Sequence, residues 1–194
     1  MQTVLTPSVL EAQHHYFGKR ATLREAPEID PLTDEEREFI EARDSFYMAT
    51  VTENGWPYVQ HRGGAPGFLR VVSPTQLAFA DYRGNRQMLS TGNLAANDRV
   101  ALFLMDYPRR ERLKILGHAR VEDARLHPDL AAQLANPGMK ARVERMVFID
   151  VVSFDWNCPK YITPRYSLEE VTELVGPLKT RIAELETQLS RMKS

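Results

Sequence analysis

The chain has 194 residues, 43% of them hydrophobic and 26% charged, with 25 Lys+Arg against 26 Asp+Glu. That length suits one domain with appendages, and that composition suits a soluble globular fold rather than a chain disordered throughout. A formal net charge of −1 gives no global field to draw in nucleic acid or an anionic membrane, and the single cysteine, Cys158, excludes an intrachain disulfide or a multi-cysteine metal centre.

From the N-terminus, Pro7 to Lys19 reads as a first helix, with Ser8 as its cap and Glu11 in capping-box spacing. No signal-peptide pattern and no run of about 20 apolar residues is present, which points to a cytoplasmic protein without a membrane span. Pro27 and Pro31 interrupt the helical texture. A second helix is predicted from Thr33, with Glu36 completing a capping box and Phe39 and Ile40 on the buried side.

From Ser45 the texture changes to short β-rich runs. Phe46 to Val51 and Pro57 to His61 are predicted strands joined by the hairpin signal Asn54-Gly55. Phe68 to Val72 and Leu77 to Ala80 follow, turned by Ser73-Pro74-Thr75. A polar loop, Asp81 to Gln87, leads into a helix predicted over Gln87 to Ala95. Arg99 to Met105, Arg112 to Val121 and Arg145 to Phe154 are three further strands, with short helices within 127–143. Seven strands with few helices between them do not fit a doubly wound parallel sheet, which needs a crossover helix after nearly every strand. The expected fold is mainly β (α+β), an antiparallel split β-barrel with flanking helices. Its expected parts are a helical segment over 1–44, the barrel over 45–166 and a C-terminal helix over 167–194.

That last helix carries a seam. Val171, Val175, Leu178, Ile182, Leu185, Leu189 and Met192 alternate in steps of four and three. Two readings fit: an amphipathic helix lying on its own barrel, or a short coiled coil with a second copy of the chain.

Recognisable catalytic motifs are absent: no G-x-S-x-G elbow, P-loop or H-E-x-x-H helix occurs. The five histidines are scattered, so no metal site is expected. Cys158 has two readings, a buried small hydrophobe or a thiolate activated by Lys160. The most informative stretch is 81–114, where Arg83, Arg86, Arg99, Arg109, Arg110, Arg112 and Lys114 face only Asp98, Asp106 and Glu111, besides Asp81 at its start. In Gly84-Asn85-Arg86, loop amides, a helix N-terminus and a guanidinium can converge on one anion. A solvated charged surface is the alternative.

The strand pair Met48 to Pro57, the loop Asp81 to Gln87 and the segment Asn97-Asp98-Arg99-Val100-Ala101-Leu102 together resemble the pyridoxamine 5′-phosphate oxidase-like flavoproteins. They match, in order and spacing, that family's A-T-V-x-x-D/N-G-x-P start, T-N-x-G-S-R-K phosphate loop and N-P-x-V-x-L strand. The resemblance covers about 45–122 well and about 145–165 loosely. It implies a split barrel that dimerises and holds FMN between subunits.

Residue by residue, the resemblance implies that Arg86 pairs with the FMN phosphate, Gln87 hydrogen-bonds where the family has lysine, and Asn85 replaces a serine. His61 and Arg62 would flank the flavin. Phe79, Ala80 and Asp81 would run beside the ribityl chain and ring, with Asp81 directed at ribityl hydroxyls or paired with Arg83. Arg112 stands where a family glutamine contacts the flavin, from this or the other subunit, and Lys114 follows on the same strand face. Trp156 would stack over the flavin, with Lys160 or Arg165 supplying charge. The family's C-terminal R-x-H substrate motif is absent, which argues against pyridoxal-phosphate synthesis. The expected function is an FMN-dependent oxidoreductase, a homodimer using a nicotinamide or other small-molecule substrate. The alternative is a non-catalytic module that binds or senses a flavin, deazaflavin or haem.

Overall fold

The computed structural model describes residues 2–23, 29–156 and 159–192, so the readings of Cys158 lie outside the described residues. The described residues fall into two compact units. One runs up to Met105 and resumes at Arg112 through the last strand; the other comprises Asp106–Glu111 and the C-terminal segment from Pro159.

In the first unit, helix α1 (Pro7–Phe17) is capped by Thr6, whose hydroxyl accepts from the Val9 amide, rather than by Ser8. Proline has no N–H to lose and a φ already near helical values. Pro7 therefore takes the first helical position and the cap falls one residue before it. Gly18, at φ +66°, ends the helix before Lys19.

Helix α2 (Asp34–Glu41) starts as its sequence predicts. Glu36 reaches back to the Thr33 amide at 2.9 Å, and Phe39 and Ile40 are buried. Trp156 donates its indole N–H to the second Glu36 oxygen at 2.7 Å, which fastens the end of the last strand to the start of α2. Burial opposes the charge on Glu36, but the bonds from Thr33 and Trp156 outweigh it and hold the carboxyl below the usual glutamate range.

Seven strands make one sheet in the order β2-β1-β5-β6-β7-β4-β3. They are β1 (Ser45–Val51), β2 (Pro57–Gly63), β3 (Leu69–Ser73), β4 (Gln76–Tyr82), β5 (Arg99–Asp106), β6 (Glu111–Asp123) and β7 (Val143–Trp156). The pairings of β1 with β2 and β5, of β3 with β4, and of β7 with β4 and β6 are antiparallel. This is the split barrel that the strand pattern predicts. Phe46, Met48, Leu102 and Leu104 point inward at alternate positions, which is why the two-residue periodicity was readable.

Strand β4 is buried on both faces. Leu77 and Phe79 enter the main core, while Ala78 and Ala80 face a smaller cluster with Met146, Phe148, Ala131 and Leu134. Helix α4 (Pro128–Leu134) supplies the last two, and only small side chains on that face of β4 let it pack closely. At Gly117 the β6–β7 register shifts. A side-chain carbon there would lie 2.6 Å from the Asp150 carbonyl oxygen, so glycine permits the bulge.

Strand β3 is an outer strand of the sheet, and α2 packs beside it. Arg37 donates to the Val71 carbonyl at 2.8 Å, and Glu41 accepts from the Val71 amide at 3.2 Å. Both backbone groups of Val71 are thus held by side chains.

Helix α3 (Leu89–Ala96) begins two residues later than predicted, because Arg86 and Met88 both adopt left-handed backbone at φ +59°. Buried Asn93 ties it to the sheet by donating to the Thr50 hydroxyl at 2.8 Å.

In the second unit, Ser167 and Glu170 form a reciprocal cap on helix α5 (Leu168–Met192): the Ser167 amide donates to Glu170 and the Glu170 amide to the Ser167 hydroxyl. No residue of α5 is buried, and Pro177 lies within it. Among the described residues, no helix is long and apolar enough to cross a membrane.

Candidate functional site

A cavity of about 320 Å³ lies in the first unit, between β2, β4 and the loop that opens α3. Its walls include Tyr58, Gln60, His61, Arg62, Phe68, Phe79, Ala80, Asp81, Asn85, Arg86, Gln87, Met88, Ser90, Thr91 and Arg145.

One wall is a chain of alternating charges. Asp81, at the end of β4, accepts from Arg62 of β2 at 2.7 Å on one oxygen and from Arg145 of β7 at 2.8 Å on the other. Arg145 also meets Glu144 at 3.4 Å, and Glu144 meets Arg86 of the loop at 3.3 Å. Three guanidinium groups share two carboxylates, so the wall keeps a net positive charge. The Arg62, Asp81 and Arg145 side chains are only 13–17% exposed, whereas Arg86 is 60% exposed. The inner part of the wall is therefore fixed, and its outer cation is free to re-pair.

Asp81 does not pair with Arg83, one of the two expectations for it. The Arg83 amide donates to the Arg142 carbonyl, and its side chain is exposed. The β4–β7 register sets the actual partners. Asp81 lies directly across from Arg145 in that ladder. Arg62 then lies over the Phe79 ring, its guanidinium carbon 5.6 Å from the centroid, and keeps one buried nitrogen, Nε, without a hydrogen-bond partner.

The opposite lip is the loop 84–88. Asn85 accepts from the Gln87 amide at 3.2 Å through its side-chain oxygen, an Asx turn that bends the chain and leaves the Asn85 amide group free to donate. Among the described residues no side chain caps α3, and Leu89, Ser90 and Thr91 of its uncapped first turn line the cavity. Ser90 donates to Gln60 at 2.7 Å and anchors this lip to β2.

A family model for pyridoxamine 5′-phosphate oxidase matches residues 32–148, more than half of the chain. The chain belongs to that family. Solved structures share the fold, two of them as follows. One is HupZ of Group A Streptococcus, at 15% identity and TM-score 0.53, with 70% of this chain and 99% of that chain covered. The other is a protein of Lactobacillus delbrueckii grouped with the pyridoxamine 5′-phosphate oxidases, at 21% identity and TM-score 0.50, with 64% and 93% covered. At these identities the likeness is one of fold alone. No curated protein matches the chain by sequence.

Within this oxidase-family barrel, eight of the residues singled out from sequence meet at the cavity: His61, Arg62, Phe79, Ala80, Asp81, Asn85, Arg86 and Gln87. Others lie elsewhere. Trp156 is committed to packing, edge-on to Phe39 with ring centroids 4.7 Å apart and its N–H on Glu36, so its face is not offered to the cavity. Lys114 pairs with Asp155 at 3.6 Å. Arg112 lies 5.9 Å from the Phe103 ring centroid, and its buried Nε has no partner. Lys160 and Arg165 belong to the second unit, where Arg165 covers the Tyr107 ring at 4.9 Å and Lys160 is exposed.

Arg145 is the residue that the sequence reading missed. Its signal was present, since it opens the predicted last strand, but only the pairing of that strand with β4 brings it opposite Asp81. Among the described residues, no group of three or more His, Cys, Asp or Glu is arranged to hold a metal ion.

Proposed function

We propose that the protein is an FMN-dependent oxidoreductase that works as a homodimer, with the flavin nucleotide seated in this cavity. The observation that carries the reading is the pairing of an uncapped helix start and its bent loop with a wall of net positive charge. A phosphate dianion is matched by both parts, by free amides and by guanidinium forks. The residues present fit such a group, because the buried Arg62 Nε is a donor without a hydrogen-bond partner among the described residues.

Bound FMN supplies hydride or electron transfer, and the protein's part is to bind and orient it. Arg86 and the Asn85 amide take the phosphate end. Arg62 is held rigid by Asp81 and offers Nε to the polar parts of the nucleotide. Phe79, Phe68 and Tyr58 in the lining supply aromatic carbon toward the flavin ring. Arg145 bonds the second oxygen of Asp81 and aligns the carboxylate, which keeps Arg62 in place.

The homodimer reading rests on the outer face of β2, β1 and β5. Tyr47 pairs there with both His61 and Phe103, and Tyr47 and Val59 are 42% and 60% exposed. The His61 ring lies 5.5 Å from that of Tyr47, so this apolar face runs up to the cavity rim. Arg112, whose buried Nε has no partner among the described residues, lies on the same face beside Phe103, which supports a role for it toward the partner's flavin.

The reading stops short of pyridoxal-phosphate synthesis. The family match ends at residue 148, and the following segment, Phe154 to Arg165, has no R-x-H.

The test begins with the absorbance of the purified protein, followed by titration with FMN and identification of any released ligand by mass. A yellow protein, or one that quenches added FMN and then oxidises NADH or NADPH, is the expected result. A protein that stays colourless and leaves FMN fluorescence unchanged overturns it. Release of a deazaflavin or haem redirects the cofactor assignment, and tight flavin binding without turnover makes the protein a flavin-holding module.

A further inference from the structure

Helix α5 carries an apolar seam that is exposed along most of its length. Val171, Leu178, Ile182, Leu185, Leu189 and Met192 are 41–84% exposed, and no α5 residue is buried. A helix this polar elsewhere does not leave such a stripe in water without a partner.

We infer that α5 pairs with α5 of a second copy of the chain as a parallel, in-register, two-stranded coiled coil. The identities along the seam commit the occupant and its direction. With steps of four and three, Val175, Ile182 and Leu189 take the a positions, and Val171, Leu178, Leu185 and Met192 the d positions. The two central heptads thus combine β-branched Val and Ile at a with Leu at d, the combination that favours parallel dimers over higher oligomers.

Charge agrees with that direction. Arg181 falls at a g position and Glu186 at the following e position, so a parallel partner sets Arg181 against Glu186 of the other chain, twice by symmetry. Within one chain Arg181 instead meets Glu184 at 2.8 Å. Both of those side chains are more than half exposed, so that local bond is weak and easily exchanged.

The remaining positions do not oppose the pairing. Gly176 and Pro177 fall at outward b and c positions, and Thr180, Ala183, Glu184, Thr187, Ser190 and Arg191 also face away. Three heptads alone are marginal. On the homodimer reading proposed above, the second helix is present at high effective concentration, and a short seam suffices. This inference does not depend on the flavin: loss of the coiled coil leaves FMN binding as a separate observation.

Single-cysteine cross-linking tests it in the full-length chain. In a Cys158→Ser background, Val171→Cys and Leu189→Cys lie about 27 Å apart along the helix. Mild oxidation is expected to give covalent dimer from each variant alone, at least fivefold more than from Thr180→Cys on the outer face. Dimer formed only when the Val171 and Leu189 variants are mixed shows an antiparallel pair and overturns the inference, as does cross-linking no greater than the Thr180 control. Arg181→Glu should lower the yield from Leu189→Cys, and adding Glu186→Arg should restore it. Failure of the double exchange to restore the yield overturns the assigned register. Unchanged circular dichroism of each variant shows that the fold is kept.

Discussion

Two carboxylates, buried Glu36 and half-buried Asp81, are held in opposite ways. Glu36 is satisfied by neutral donors: the amide and hydroxyl of Thr33, three residues away, and the indole of Trp156. Asp81 is satisfied by two cations, Arg62 and Arg145, which are 19 and 64 residues away. The first arrangement closes a helix end and pins the last strand. The second assembles three strands around a cavity and leaves a donor unspent. Neutral donors settle a charge and finish it, whereas guanidinium groups settle it while keeping further bonds to give, which is what a binding wall requires.

The comparison can be broken first at Asp81. Asp81→Ala leaves two largely buried guanidinium groups without their shared anion, with an expected loss of about 3–5 kcal/mol of stability by chemical denaturation. A loss below about 1 kcal/mol would mean that water or Glu144 replaces it and that the wall is not rigid. Glu36→Gln comes next. Its amide group must face donors that it cannot accept from, at a cost of about 1–3 kcal/mol near neutral pH.

The acid side sharpens the point. The Glu36 carboxyl is depressed in the folded state, so its stabilisation is complete above the ordinary glutamate range and lost as pH falls through the folded value. The gap in melting temperature between wild type and Glu36→Gln should therefore narrow below about pH 4. A gap that stays constant from pH 7 to pH 3 would show that the site binds no differently when protonated.

Arg86→Ala is expected to weaken FMN binding by about 1.5–3 kcal/mol through loss of a charge-assisted bond, with the melting temperature of the flavin-free protein almost unmoved. Equal affinity in the variant would take the phosphate from this loop. The smallest effect belongs to Arg125→Ala. Asp123 is held at about 2 chiefly by its side-chain bond to Arg125, yet Arg125 is 75% exposed and outside the cavity, so neither stability nor flavin affinity should change measurably.

The same two acids show what the sequence made legible. Thr33-x-x-Glu36 is a local pattern, and it predicted both the helix start and its buried face. The strands were readable for the same reason, since alternation in Phe46 to Val51 and the Asn54-Gly55 turn need no distant partner. Asp81 gave its position in the loop motif but not its partners, because cross-strand pairing depends on the β4–β7 register. The late start of α3 was hidden because neither Arg86 nor Met88 is a glycine that would advertise left-handed backbone. The packing of Trp156 was not readable either, because its N–H partner lies 120 residues away.

The bonds from Arg37 and Glu41 to Val71 bear on a different hazard. An outer strand with free amides and carbonyls is a template on which another chain's strand can add, and β3 is such a strand. By occupying both backbone groups of Val71, α2 blunts that template with two side chains rather than a further strand. A variant lacking both, Arg37→Ala with Glu41→Ala, keeps the core yet uncovers the edge, and its failure would be seen as fibres or precipitate on concentration rather than as an unfolded monomer.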